Sequence, residues 1–134
     1  MKNTLKFTGI IFLLILMQLD GYSQKEKKPS RYPGYDIVGS FNNGLAKVKK
    51  DKKWGYIDTT GNVVFPCRYN EVENFSDNMA RVRVGTKWGL ISSDGSEIIK
   101  PTFDWIYEFI DGVALVKLEG DEYYMNKKGQ RVVK

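Results

Sequence analysis

After residue 40, apolar and polar side chains alternate with a period of two along much of the chain. LAKVKK from Leu45, MARVRV from Met79 and VALVKL from Val113 are the clearest runs. Ala46 and Val48, Ala80, Val82 and Val84, and Ala114, Val116 and Leu118 point one way, while Lys47, Lys49, Arg81, Arg83 and Lys117 point the other. Such alternation predicts antiparallel strands with one buried face and one wet face. A second strand follows as WGYID, WGLIS and the degraded EYYMN, and a third as NVVF, EIIK and RVVK. Between the first two strands, Gly85-Thr86 suits a type II′ turn and Glu119-Gly120 a type I′ turn, with Asp51-Lys52 the weaker match. Between the second and third, Gly61, Gly95 and Gly129 predict a positive φ in a three- or four-residue hairpin that closes with a bulge. Pro66 and Pro101 are expected to break the third strand, and YNEV or FDWI to lead on from it.

These elements recur as a unit. Residues 41–74 and 75–108 align without a gap: Phe41 on Phe75, Ala46 on Ala80, Lys53-Trp54-Gly55 on Lys87-Trp88-Gly89, Gly61 on Gly95 and Tyr69 on Phe103. The period of 34 residues marks a repeat architecture. A half repeat at 32–40 precedes them, and a truncated repeat at 109–134 follows, with Glu122-Tyr123 in place of Trp-Gly. Its atypical, more polar residues are expected to form a cap. The structural repeat motif is thus Trp54, Gly55, Trp88 and Gly89 with the turn glycines Gly61, Gly95 and Gly129. Gly55 and Gly89 fall in mid-strand, where glycine marks a close approach, and an aromatic ring from a neighbouring strand is expected to lie over them.

The opening Phe41-x-x-Gly44-x-Ala46-x-Val48, the centre Lys53 to Asp58, the turn Gly61 and the close Pro66-x-x-Tyr69 resemble the WG-repeat family of short bacterial β-repeats. The second copy departs with Asn78 for the glycine and Ser92 for the aspartate. The resemblance covers residues 32–134 and implies a β-rich repeat module with no catalytic residue and no defined ligand. A closed propeller typically needs at least ~4 blades. The expected fold is therefore all-β, an open repeat array of antiparallel β-hairpins, solenoid-like or a partial propeller.

Residues 1–23 read differently. Lys2 and Lys6 form a positive start, Phe7 to Leu19 an apolar run, and Gly21-Tyr22-Ser23 a small-residue cleavage site. That is the pattern of a secretory signal peptide, too short to span a bilayer. Export to the periplasm or the extracellular space is expected, with membrane contact only through an uncleaved leader. Residues 24–31, QKEKKPSR, carry no apolar side chain and read as a charged disordered linker.

The net charge of +5 changes little once it is located. Residues 32–134 hold 15 basic and 14 acidic side chains, so the excess lies in the leader and linker. A nucleic-acid binder carries its positive patch on the folded surface, and no nucleic-acid partner is expected. The chain has no histidine and one cysteine, Cys67, expected to be partly buried and inert. Without histidine there is no Ser-His-Asp or Cys-His arrangement. No phosphate loop or calcium loop is present, and no cofactor or metal is expected. Acidic pairs exist: Glu71 with Glu73, Asp121 with Glu122, Glu108 with Asp111. The expected function is a non-catalytic exported module for binding or scaffolding, its partner another envelope protein or a glycan. The alternatives are a glycan-processing enzyme using paired carboxylates and a self-associating structural β-repeat protein. Lys47, Lys49, Arg81, Arg83, Tyr56 and Trp105 are the candidate contact surface, the cations forming a basic stripe if repeats lie side by side.

Overall fold

The computed structural model describes residues 31–133. The leader and nearly all of the linker lie outside the described residues. Within the unit Gly34–Lys134 the chain is all-β. It forms three four-stranded sheets, each a sequential antiparallel meander. The first holds β1 (Ile37–Val38), β2 (Leu45–Lys50), β3 (Lys53–Asp58) and β4 (Val63–Tyr69). The second holds β5 (Glu71–Val72), β6 (Met79–Val84), β7 (Lys87–Ser92) and β8 (Glu97–Phe103). The third holds β9 (Trp105–Ile106), β10 (Val113–Leu118), β11 (Asp121–Asn126) and β12 (Arg131–Val132). The expected array of hairpins is therefore present, in a different phase. The segments YNEV and FDWI do not merely lead onward; they supply the opening strand of the next sheet. Residues 32–40 supply β1 of the first sheet, and 109–134 the last three strands of the third.

The turns follow from local chemistry. Asn43-Gly44, Asp77-Asn78 and Asp111-Gly112 all take positive φ at both positions, the geometry of a type I′ hairpin. Asn78 fills a glycine position because asparagine tolerates the left-handed region. Gly85-Thr86 has positive φ at its first residue only and Glu119-Gly120 at both, the types II′ and I′ read from the sequence. Asp51-Lys52 takes positive φ twice without a glycine. At the third turn Gly61, Gly95 and Gly129 have φ of 91°, 96° and 80°. The amide of each donates to the carbonyl of Asp58, Ser92 or Asn126, closing a bulged three-residue loop.

Pro66 and Pro101 do not end their strands. β4 and β8 run through them as bulges, the place a sheet accepts proline. In β3–β4 the register passes from Trp54↔Tyr69 to Tyr56↔Phe65, so Gly55 alone faces Pro66, Cys67 and Arg68. In β7–β8, Gly89 likewise faces Lys100, Pro101 and Thr102. A Cβ at Gly55 would lie 2.4 Å from the Phe65 carbonyl oxygen, and one at Gly89 2.5 Å from that of Ile99. The expected aromatic cover is thus replaced by the neighbouring strand's own backbone, which the bulge presses onto the glycine.

The three sheets stack face to face. Tyr56, Phe65 and Tyr69 of the first sheet pack against Val72, Ala80, Val82 and Ile91 of the second. Trp88 and Phe103 of the second pack against Ile106, Ala114, Val116 and Met125 of the third. At each junction the earlier sheet thus presents large rings on its trailing face and the later one aliphatic side chains on its leading face. Burying a large apolar side chain contributes roughly 1.5–3 kcal/mol, and each junction buries several. This overturns the expectation of one buried and one wet face. The trailing face, where Lys47 and Arg81 lie, is the face that meets the next sheet. The central strands are covered on both sides; Tyr56 and Ile57, neighbours on β3, are 2% and 0% exposed.

Candidate functional site

The candidate contact residues are used within the stack. Lys47 donates from Nζ to the Val72 carbonyl at 3.0 Å. Arg81, one period later, donates from a terminal guanidinium nitrogen to the Ile106 carbonyl at 2.6 Å, and from Nε to Glu73 at 2.6 Å. Val72 and Ile106 are themselves one period apart. A cation on the trailing face therefore clamps the opening strand of the next sheet at both junctions. Partial burial pushes the Lys47 ammonium below its usual pKa, while Glu73 and Glu71 raise it. Lys49 lies over the Trp54 ring at 5.0 Å. Arg83 grips Glu71 with two nitrogens, donates to the Gly85 carbonyl and covers Trp88. Lys47 and Arg81 thus brace the stack across its junctions, while Lys49 and Arg83 have their partners within their own sheets.

The two aromatics fare the same way. Tyr56 donates its hydroxyl to the Glu73 carbonyl and stacks on Phe75 at 4.9 Å. Burial pushes its phenol well above the ordinary tyrosine range, helped by the Glu73 charge. Trp105 meets Trp88 edge-on at 4.9 Å, and the Arg81 guanidinium lies 5.6 Å from its ring centre. Cys67 lies half-buried in the first bulge with its thiol near the Val48 carbonyl at 3.7 Å, and burial pushes the thiol pKa up.

One repeated device escaped the sequence reading. Asp36, Asn70 and Asp104 fall 34 residues apart, and each side chain accepts the first amide of the β2–β3-type turn of its own sheet. Asp51 donates to Asp36 at 3.0 Å, Gly85 to Asn70 at 2.7 Å and Glu119 to Asp104 at 2.7 Å. This bond helps hold Asp51-Lys52 in its glycine-free left-handed turn. The signal was an Asx at every period, 15 residues before the turn. Asp104 also accepts from Lys87, and these donors hold its carboxyl below the usual range. Asp58 is held at about 2, chiefly by the Thr60 hydroxyl and then by the amides of the same loop.

What the core does not use is a row of three grooves at equivalent places. The first, of about 430 Å³, is lined by Ser40, Asn42, Asn43, Asn74, Lys47 and Phe75 among others. The second, of about 280 Å³, has Glu73, Ser76, Asp77, Arg81, Glu108 and Phe109 at the corresponding positions. The third, of about 590 Å³, has Tyr107, Ile110, Val113, Leu115, Tyr124 and Val132. The backbone recurs while the lining changes from amide-rich to acidic to apolar. At the third groove Tyr107 is 42% exposed and Ile110 71%. The last repeat forms a complete sheet, with Glu122 where the first two sheets have Trp54 and Trp88, and with Leu115 where they have Lys47 and Arg81.

The acidic pairs are only partly free. Glu71 and Glu73 are engaged by Arg83 and Arg81, and Glu122 lies 3.6 Å from Lys117. Glu108 and Asp111 flank the third groove. Among the described residues no cluster of three or more His, Cys, Asp or Glu is placed to hold a metal ion. Among them, too, no helix is long and apolar enough to cross a membrane.

A family model described as WG containing repeat matches residues 32–54, 54–88 and 88–121. Its matches hand over at Trp54 and Trp88. No curated protein matches. No solved structure matches either.

Proposed function

We propose, from the premise that this chain belongs to the WG-repeat family, that it is an exported, non-catalytic module that binds or scaffolds another component of the bacterial envelope. The observation that carries the reading is the row of grooves. The core, the clamps and the turns repeat in register, while the groove lining changes in character at each step. A scaffold held constant under a changing surface is how repeat proteins build an extended recognition face. Lys47 and Arg81 brace the stack and also line the first and second grooves, so each of these grooves keeps one fixed cation beside its variable side chains. The leader pattern of residues 1–23 supports export to the periplasm or the extracellular space.

The partner classes are an envelope protein or a glycan, and the amide-lined first groove has donors and acceptors for either. The test is affinity capture from native envelope extract and binding to a glycan panel. A chain with Ser40→Arg and Asn74→Arg, which crowd the first groove, serves as comparison. The expected result is a partner recovered by the native chain and reduced at least about tenfold by the double variant, a loss of about 1.4 kcal/mol or more. Equal recovery by both chains, or cleavage of a glycan in the panel, would sink the reading.

A further inference from the structure

We propose that the row of grooves takes one extended partner, a proline-rich segment in the polyproline II conformation that carries a basic side chain. It rests on the binding function proposed above and names the class of partner. The grooves are joined. Asn74 lines both the first and the second, and Tyr107 and Glu108 line both the second and the third. A joined row fits one long occupant better than three small ones. Each groove also has an aromatic edge: Phe75 in the first, Phe109 one period later in the second, and Tyr107 and Tyr124 in the third. Aromatic-lined grooves are what polyproline II segments dock into, because that helix is stiff before it binds and loses little entropy.

The spacing selects the conformation. Stacked sheets lie ~10 Å apart, so equivalent places recur at that interval. A polyproline II helix turns once in three residues of ~3.1 Å rise, or ~9.3 Å, and presents every third side chain on one face. A β-strand covers the same interval in about three residues, but its period of two sends the third side chain to the opposite face. The chemistry selects the composition. A proline-rich backbone offers carbonyl acceptors and almost no donors. In the first groove the side chains of Ser40, Asn42, Asn43 and Asn74 make no hydrogen bond among the described residues, so their donors remain for such carbonyls. In the second groove Arg81 is held by Glu73 and the Ile106 carbonyl. Glu108 lines the same groove with no ion-pair partner among the described residues. A neutral glycan laid there would bury that carboxylate unpaired, whereas a lysine or arginine on the proline-rich helix would pair with it.

The test is fluorescence anisotropy with the full chain and labelled peptides of about twelve residues, up to about 1 mM, the range in which a weak complex titrates. The first peptide is proline throughout except for a central lysine. The second has glutamate in place of that lysine, and the third keeps the lysine in a glycine-serine chain, which is flexible. The expected result is saturable binding of the first and at least about tenfold weaker binding of the other two. Glu108→Gln is expected to weaken the lysine peptide at least about fivefold and to narrow its advantage over the glutamate peptide. Tyr107→Ala, at a position 42% exposed, is expected to weaken it at least about fivefold without burdening the fold. Val63→Ser, at an exposed position outside the grooves, is expected to leave binding unchanged. No saturation by the lysine peptide, equal binding of either other peptide, or binding indifferent to both Tyr107→Ala and Glu108→Gln would overturn the proposal. A chain that binds no proline peptide yet recovers an envelope protein or a glycan in the capture above would overturn this inference and leave the binding function standing. Failure in both assays would overturn both.

Discussion

Gly89→Ala tests the close approach at the centre of the repeat. The glycine has an ordinary negative-φ backbone, so alanine brings no conformational strain of its own. It would even lower the entropy of the unfolded chain, a gain of about 0.5–1 kcal/mol. Against this, the new methyl would lie 2.5 Å from the Ile99 carbonyl oxygen, 2.7 Å from the Pro101 nitrogen and 2.9 Å from the Lys100 carbonyl carbon. All three are backbone atoms in a bulge pinned by Trp88↔Phe103 and Leu90↔Ile99. Relief needs a shift of about 1 Å, measured against an optimal separation of ~3.5 Å. Overpacking costs about 1–3 kcal/mol, and each ladder hydrogen bond lost adds about 1 kcal/mol. The net expectation is a loss of about 2–4 kcal/mol. For a domain of this size that lowers Tm by on the order of 10–25 °C. Thermal denaturation followed by circular dichroism reads it directly. Gly112→Ala is the comparison: its φ is +78° and nothing lies within 4 Å of the added methyl, so it should cost only about 1 kcal/mol. A Gly89→Ala chain melting within about 2 °C of the native one would refute the close approach as the reason for the Trp-Gly pair.

Three further outcomes follow from the clamps and turns. Arg81→Leu, which installs the third-sheet residue in the second, removes the bonds to Ile106 and Glu73 and should cost about 2 kcal/mol in urea denaturation. Asn70→Ala removes the acceptor for the Gly85 amide and should cost about 1 kcal/mol by the same assay. Asp58 is held at about 2 against an ordinary 3.8, so its contribution is present above the ordinary value and lost as pH falls from about 4 to about 2. A carboxyl ¹³C titration should show the depressed value. Asp58→Asn installs the residue that Asn126 supplies in the same loop of the third sheet, where its side chain accepts from the amides of Lys128 and Gln130. It should keep stability near pH 7 and remove that part of the acid loss.

The faces of the strands, the period, the three turn glycines and the types of two turns were legible because each depends on neighbours two to five residues away. What lay beyond reach depended on where distant backbone goes. Pro66 reads as a strand breaker, and only the partner strand reveals that the chain bulges around it and leaves room for nothing larger than Gly55. Lys47 and Arg81 read as wet residues, because period-two alternation cannot tell water from the next sheet. The clamp by Asp36, Asn70 and Asp104 was written in the sequence at every period, but its partner is 15 residues away in a turn. The first two grooves are lined by residues from two consecutive repeats, so no short window of sequence contains either.

The handover between sheets has a mechanical meaning. β4 ends at Tyr69 and β5 begins at Glu71; β8 ends at Phe103 and β9 begins at Trp105. One residue spans each gap, and that residue, Asn70 or Asp104, is tied back to a turn of the sheet it opens. A joint this short leaves no hinge. Bending one sheet against the next would break the clamp and the junction together. Under tension from its two ends, the stack should stay rigid and then yield in whole-sheet steps, each releasing about 34 residues of slack, a length of roughly 110–120 Å when extended.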